Sequence, residues 1–237
     1  MKNLIYQYFN SPDKDRVRKD RPGVYVNAGN YHEYSKQSIS AYAKKHGVSY
    51  KFMDHKLPDD IPLFYGIFLP FLEGWCWDYD NICFIDSDIM ATVDSGNVFD
   101  YAGKQGLTLH KMDASKQRFD SKRAFQFFNE IEGFFNSGVV IFPRSEYENF
   151  IHFTSTLKHR DLHRTSVENS LGGFDQGLLN TWIANHRRYN ELPKQYNYHM
   201  GRYQKPERWN KGVSLIHYHR HNKPLMETEF NDERILK

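Results

Sequence analysis

CFIDSDIM, residues 83–90, is an apolar run that ends on two aspartates one residue apart. With Asn81 and Ile82 in front, NICFID (81–86) has strand length and polar borders, which predicts a buried central strand. Strand residues two apart share a side, so Asp86 and Asp88 are expected to face one way at the strand's carboxyl end. In open α/β sheets, ligands sit beyond that edge. Two carboxylates there make a hard-oxygen site for Mg²⁺ or Mn²⁺, of the kind shared with the phosphates of a nucleotide. The competing reading is a pair of solvated loop aspartates.

Upstream, NLIYQYF (3–9) suits a first buried strand. Residues 31–46 carry Tyr31, Tyr34, Ser38, Ile39, Tyr42 and Ala43 at helical spacing, and Gly47 follows as a stop. VSYKFM (48–53) reads as a second strand. Strand, helix and strand make a βαβ unit, which implies a parallel sheet. SPDKDRVRKDRPG (11–23) is charge-dense with two prolines and predicts a mobile loop. FYGIFLPFLEGWC (64–76) predicts a helix kinked or interrupted at Pro70.

Downstream, strands are expected over 106–110, 134–143 (FFNSGVVIFP) and 212–219 (GVSLIHYH), and helices over 144–160 and 174–186. The stretch 112–133 is ambiguous, and the tail from 225 is polar. Without a repeat or linker, 1–237 reads as one α/β domain. Its nucleotide-binding half is about 1–90, its sugar and acceptor half about 91–224, and its tail 225–237.

Composition narrows the function. The 237 residues include 32 basic and 29 acidic ones, a net charge of +3, which is too balanced for a DNA-coating protein or a membrane-surface protein. There is no P-loop, zinc-finger spacing or RNA-binding aromatic signature, so no nucleic-acid partner is expected. Aromatics reach 16%, which suits stacking on bases or sugar rings, or simply an aromatic core. Cys76 and Cys83 make no disulfide framework. The start lacks a signal-peptide pattern, and no run of 18 apolar residues exists, so no transmembrane segment and a cytoplasmic location are expected.

Three further constellations carry chemistry. In IHYHRHNKP (216–224), His217, His219 and His221 alternate. They could bind zinc together or be surface histidines. Alternatively, His217 alone completes the Asp86/Asp88 site, with Lys223 near a phosphate. In FFNSGVVIF (134–142), a polar step interrupts an apolar strand. Gly138 removes a side chain where something must come close, with Asn136 and Ser137 facing a hydroxylated ligand; the alternative is a β-bulge. In GGFDQGLLN (172–180), Asp175 is either a helix N-cap or, with Gln176, a group facing the reacting centre.

Together these segments resemble metal-dependent glycosyltransferases of the GT-A fold, most closely the glycogenin and galactosyltransferase-like group called glycosyltransferase family 8. The resemblance runs in order through FIDSDI (84–89), FNSGVVIF (135–142), FDQGLLN (174–180), LPKQYNYH (192–199) and IHYHRHNKP (216–224). It implies a mostly parallel central sheet with flanking helices. It also implies transfer of a sugar from a nucleotide diphosphate sugar, by default a UDP-sugar, to a glycan or other hydroxyl acceptor, with retention.

By that resemblance Asp86, Asp88 and His217 bind Mn²⁺ or Mg²⁺, and Lys223 holds the diphosphate. Tyr6, Tyr8 and Phe9 lie at the nucleotide, Asn136, Ser137 and Asp175 at the donor sugar, and Gln176 by the anomeric carbon. Retention needs no acceptor base; inversion would call on a residue such as His199 or His219. The sequence departs from the family pattern at Arg220 and Leu225, and no basic residue lies within 64–77. The competing functions are a non-catalytic carbohydrate-binding protein on the same fold and an Asp-x-Asp phosphatase-type hydrolase.

Overall fold

The computed structural model describes residues 1–9, 30–54, 57, 63–112, 133–157, 175–199, 212–218 and 222–237. Strand β1 (Asn3–Tyr8), helix α1 (Tyr31–Lys45) and strand β2 (Ser49–Met53) form the expected βαβ unit, with β1 and β2 parallel. Helix α1 buries Ser38, Ile39, Tyr42 and Ala43 of the predicted stripe and also Ser35, while Tyr31 and Tyr34 are only partly buried, and Gly47 at φ 64° turns the chain into β2. Strand β3 (Asn81–Ile85) lies parallel to β1 on its other side and is wholly buried. The loop expected over 11–23 lies outside the described residues.

The central sheet has six strands in the order β2-β1-β3-β6-β5-β7, with β5 at Leu107–Met112, β6 at Phe134–Pro143 and β7 at Tyr189–Glu191. It is mostly parallel, but β6 runs antiparallel to both of its neighbours, β3 and β5. A second sheet, which sequence patterning did not foresee, orders β4 (Ile89–Ala91), β9 (Leu215–His217) and β8 (Tyr198–His199). The strand expected over 212–219 therefore shortens to three residues and belongs to this small sheet.

Two other expectations change. The segment 64–76 is not one kinked helix. It is a 3₁₀ turn at Leu63–Phe68 followed by a single α-turn, α2 (Leu69–Leu72). Pro70 sits at the start of α2, where its missing N–H costs no hydrogen bond. Nor is the tail featureless. Helix α5 (Leu225–Glu229) buries Met226, Ile235 bridges to Thr92, and Leu236 N–H donates to Ala91 O. Met226 and Ile235 pack on Met90, Ile216 and Tyr218, so the tail closes one face of the small sheet.

The aromatic excess fills the core. Leu4, Tyr6 and Tyr8 point to one face of β1, into a cluster with Phe68, Phe71 and Phe142 and with α3 (Tyr147–Leu157) and α4 (Asp175–His186). Ile5 points to the other face, against Ile39 and Tyr42 of α1. Helices therefore cover both faces, as a buried, mostly parallel sheet requires. Among the described residues, no helix is long and apolar enough to cross a membrane, and both cysteines are buried thiols.

Phe150 of α3 is the hub of this aromatic layer. It meets the rings of Phe68, Phe71, Phe142, Phe153 and Trp182 at centroid distances of 4.7–6.4 Å. Phe150→Ala is expected to cost about 3–5 kcal/mol through lost burial and the cavity left behind. Urea unfolding checks this: the midpoint should fall with an unchanged slope.

Candidate active site

Strand β3 ends at Ile85, and Asp86 N–H donates to Gly138 O of β6 at 2.8 Å. Ser87 and Asp88 turn the chain out of the central sheet, and β4 begins at Ile89. The small sheet then pairs Ile89 with His217, and Tyr218 N–H donates to Asp88 O at 2.9 Å. This register brings His217 to the two aspartates. The carboxylates meet through that turn rather than through the strand alternation expected from sequence.

His217 Nε2 stands 3.0 Å from Asp88 Oδ1 and 3.7 Å from Asp86 Oδ2. The three residues offer ligand atoms within 4.8 Å of one another, the single such group among the described residues. Asp88 and His217 are buried, while Asp86 keeps 33% of its side-chain surface and opens the site to solvent. Asp88 Oδ1 is buried, and the His217 imidazole, 3.0 Å away, is the group that faces it. Gathering two carboxylates this close, one of them buried, is costly unless positive charge sits with them. The donor set, two carboxylates and one imidazole, thus fits a divalent metal ion.

The charges around it pull against one another. Lys223 Nζ lies 2.9 Å from Asp88 Oδ2 and 4.4 Å from the centre of the Tyr31 ring. Burial and the neighbouring Asp88 charge push the Asp86 carboxyl up, and Asp175 adds to this. Burial works against the charge on Asp88 too, but Lys223 and His217 outweigh it and hold that carboxyl below its usual range. Burial disfavours charged His217 and charged Lys223, yet the Asp88 carboxylate beside them raises both. His219 and His221 lie outside the described residues.

The polar step in β6 is a bulge that also serves the site. Pairing with β5 jumps from Leu109↔Val140 to Lys111↔Phe135, leaving residues 136–139 opposite His110. A Cβ on Gly138 would stand 2.6 Å from His217 Cε1 and Nδ1, so the glycine makes room for the imidazole. Asn136 and Ser137 are buried. Asn136 Oδ1 accepts from Gly138 N–H at 2.8 Å and from Asn197 Nδ2 at 2.6 Å, and its Nδ2 donates to Gln176 Oε1 at 3.0 Å. Gln176 and Asp175 open α4, so the structure brings Asn136 and Gln176 together beside the metal-ligand set.

The amino-terminal group divides. Tyr6, expected at the nucleotide, is a core residue: it has no exposed surface, and its hydroxyl donates to Gly66 O at 2.7 Å. Tyr8 is also nearly buried, with its ring filling the space where Gly66 has no side chain. Both share the inward face of β1, which the strand period could have told. Phe9, beyond the strand, stacks on His32 at 3.9 Å between centroids and 9° between planes.

Sequence reasoning missed Gln7, Ser35, His32 and Asn197. Buried Gln7 donates to Ser35 Oγ and to Asp86 O, and Ser35 Oγ donates to Ile89 O, so the pair braces the aspartate turn from β1 and α1. A glutamine inside an otherwise apolar strand was the available signal.

The sequence profile of Glycosyl transferase family 8 matches residues 71–228, more than half of the chain. The chain belongs to that family. This glycosyltransferase matches no curated protein in sequence. It is similar in fold to a glycosyltransferase involved in glycosylation of the major capsid of PBCV-1, with 12% identity and TM-score 0.58, covering 97% of this chain and 98% of that one. The galactosyltransferase LgtC, solved with donor and acceptor sugar analogs, gives 11% identity and TM-score 0.52 over 98% and 95% of the two chains. GlyE of Streptococcus pneumoniae TIGR4 gives 16% identity and TM-score 0.52 over 97% and 60%. The fold of the family 8 enzyme is accordingly GT-A, and the phosphatase-type alternative falls.

In Gly138→Ala the added methyl would drive the buried His217 ring away from the aspartates. Mn²⁺ affinity, read from the spin-resonance signal of free Mn²⁺, is expected to fall at least tenfold, with a stability loss of about 1–3 kcal/mol from overpacking. Unchanged Mn²⁺ affinity would contradict this placement of His217.

Proposed function

We propose that this family 8 glycosyltransferase moves a sugar from a nucleotide diphosphate sugar, with UDP as the nucleotide, to a hydroxyl of a glycan acceptor, with retention at the anomeric carbon. Asp86, Asp88 and His217 hold the divalent ion. One imidazole among two carboxylates favours Mn²⁺ over Mg²⁺. The observation that carries the reading is the convergence of Asp86, Asp88 and His217, whose ligand atoms all lie within 4.8 Å of one another.

A bound ion would supply charge neutralisation to the departing diphosphate. Lys223 contributes a second positive charge from the same place, moving from Asp88 to a phosphate oxygen. Asn136, Ser137 and Asp175 take the donor sugar, and Gln176 lies by its anomeric carbon. The Phe9–His32 stack supplies the aromatic surface for the base. Retention dispenses with an acceptor-side base.

A thermal-shift screen of nucleotide diphosphate sugars, with Mn²⁺ or with EDTA, tests the reading. A donor at 100 times its dissociation constant should add about 2.7 kcal/mol, and only with the metal. Asp88→Asn keeps the shape and removes an anionic ligand, so turnover should vanish, with a fall in melting temperature because Lys223 and His217 lose their charged partner. Full activity in that variant, or in excess EDTA, would overturn the metal-dependent reading.

Mn²⁺ binding should also depend on pH. Without metal, Asp86 and His217 both hold protons more tightly than usual, and metal binding expels those protons. Affinity should therefore rise from pH 6 to pH 8, with net proton release in a weakly buffered titration. Affinity that is flat or falling with pH would contradict the charge arrangement.

A further inference from the structure

Asn197 has no role in the reaction as described, yet it is fully buried between the metal-ligand set and the sugar-facing residues. It follows the 3₁₀ turn Lys194–Tyr196. Its Oδ1 lies 3.0 Å from His217 Nδ1, and its Nδ2 donates to Asn136 Oδ1 at 2.6 Å.

The polarity of this chain of amides is set at one end. The main-chain N–H of Gly138 can only donate, and it lies 2.8 Å from the Asn136 amide. The atom of Asn136 that it meets must therefore be Oδ1. The end of Asn197 facing that same oxygen must be Nδ2, which turns Asn197 Oδ1 toward the imidazole. His217 Nδ1 must then carry the proton. Nε2, which faces Asp88 and Asp86, is left to offer its lone pair once the ring is neutral. In the other direction, Asn136 Nδ2 donates to Gln176 Oε1, so the Nε2 end of Gln176 is the donor it can present to a ligand.

We propose that Asn197 is a positioning residue that holds His217 in the Nδ1–H tautomer required of a metal ligand. Through Asn136 it also ties the metal-ligand set to the orientation of Gln176. The metal part of this rests on the reading above; the tautomer does not. Hydrogen-bond partners of metal-bound histidines typically alter metal affinity by about 10–100-fold when removed.

Two substitutions separate the arms. Asn197→Leu removes the acceptor toward His217 and the donor toward Asn136. Asn197→Asp keeps the acceptor and loses the donor. Mn²⁺ affinity, titrated with the metal alone on the full chain, should fall at least tenfold in Asn197→Leu and stay within about threefold in Asn197→Asp. Long-range ¹H–¹⁵N correlation of ¹⁵N-histidine-labelled, metal-free protein at alkaline pH should show His217 as Nδ1–H in the unsubstituted chain and in Asn197→Asp. In Asn197→Leu it should move toward Nε2–H.

A merely structural role would lower the melting temperature of Asn197→Leu without moving the tautomer. An Nε2–H His217 in the unsubstituted protein, or equal Mn²⁺ affinity in Asn197→Leu, overturns the proposal. If Asn197→Leu fails to fold, the other two spectra still decide. If the unsubstituted protein binds no Mn²⁺, the metal reading fails, while the tautomer spectrum judges Asn197 separately.

Discussion

One close approach governs the site: the His217 imidazole lies where a side chain on residue 138 would stand. Gly138 serves three purposes at once. Its missing Cβ admits the ring, its carbonyl accepts Asp86 N–H, and its own N–H sets the direction of the Asn136 amide. The β-bulge around it frees these groups from the ladder with β5. A regular strand would have spent the same groups on its neighbour and kept the imidazole out.

The ligand set is also where two sheets meet. The chain leaves the central sheet at Asp86 and enters the small sheet at Ile89, so the aspartates occupy the crossing. Gln7 and Ser35 brace the crossing from beneath, and the tail packs on the small sheet that carries His217. The aromatic cluster on one face of the central sheet packs β1, β3 and β6 against α3 and α4, which suits a site that must keep three ligands in register.

Electrostatically the site is held in tension. Lys223 and His217 hold the Asp88 carboxyl below its usual range against burial, and Asp86 bears the repulsion of Asp88 and Asp175. Such an arrangement is poor as a stabilising ion pair network. It makes sense as a receptor for a divalent cation and an anionic partner, since each would relieve one side of the imbalance.

The opening strand, helix and strand, the strands at β3, β5 and β6, the Asp86/Asp88 pair and the helix starting at Asp175 were legible in the sequence, because each depends on a local period or on a short motif. So was the need for a close approach at Gly138, though not what approaches. The strand period would have placed Tyr6 and Tyr8 in the core, but resemblance drew them to the nucleotide. The small sheet was not legible, because its strands of two or three residues carry too few positions for any alternation to register. Nor was Asn197, because an amide's partners lie 20 and 61 residues away and leave no local trace. The sequence by itself determined which residues can ligate, cap and pack, since those are properties of side chains. Only the tertiary structure decided that Ile89 pairs with His217 and that an unbroken line of amides fixes a proton, since register and hydrogen-bond direction exist only between segments.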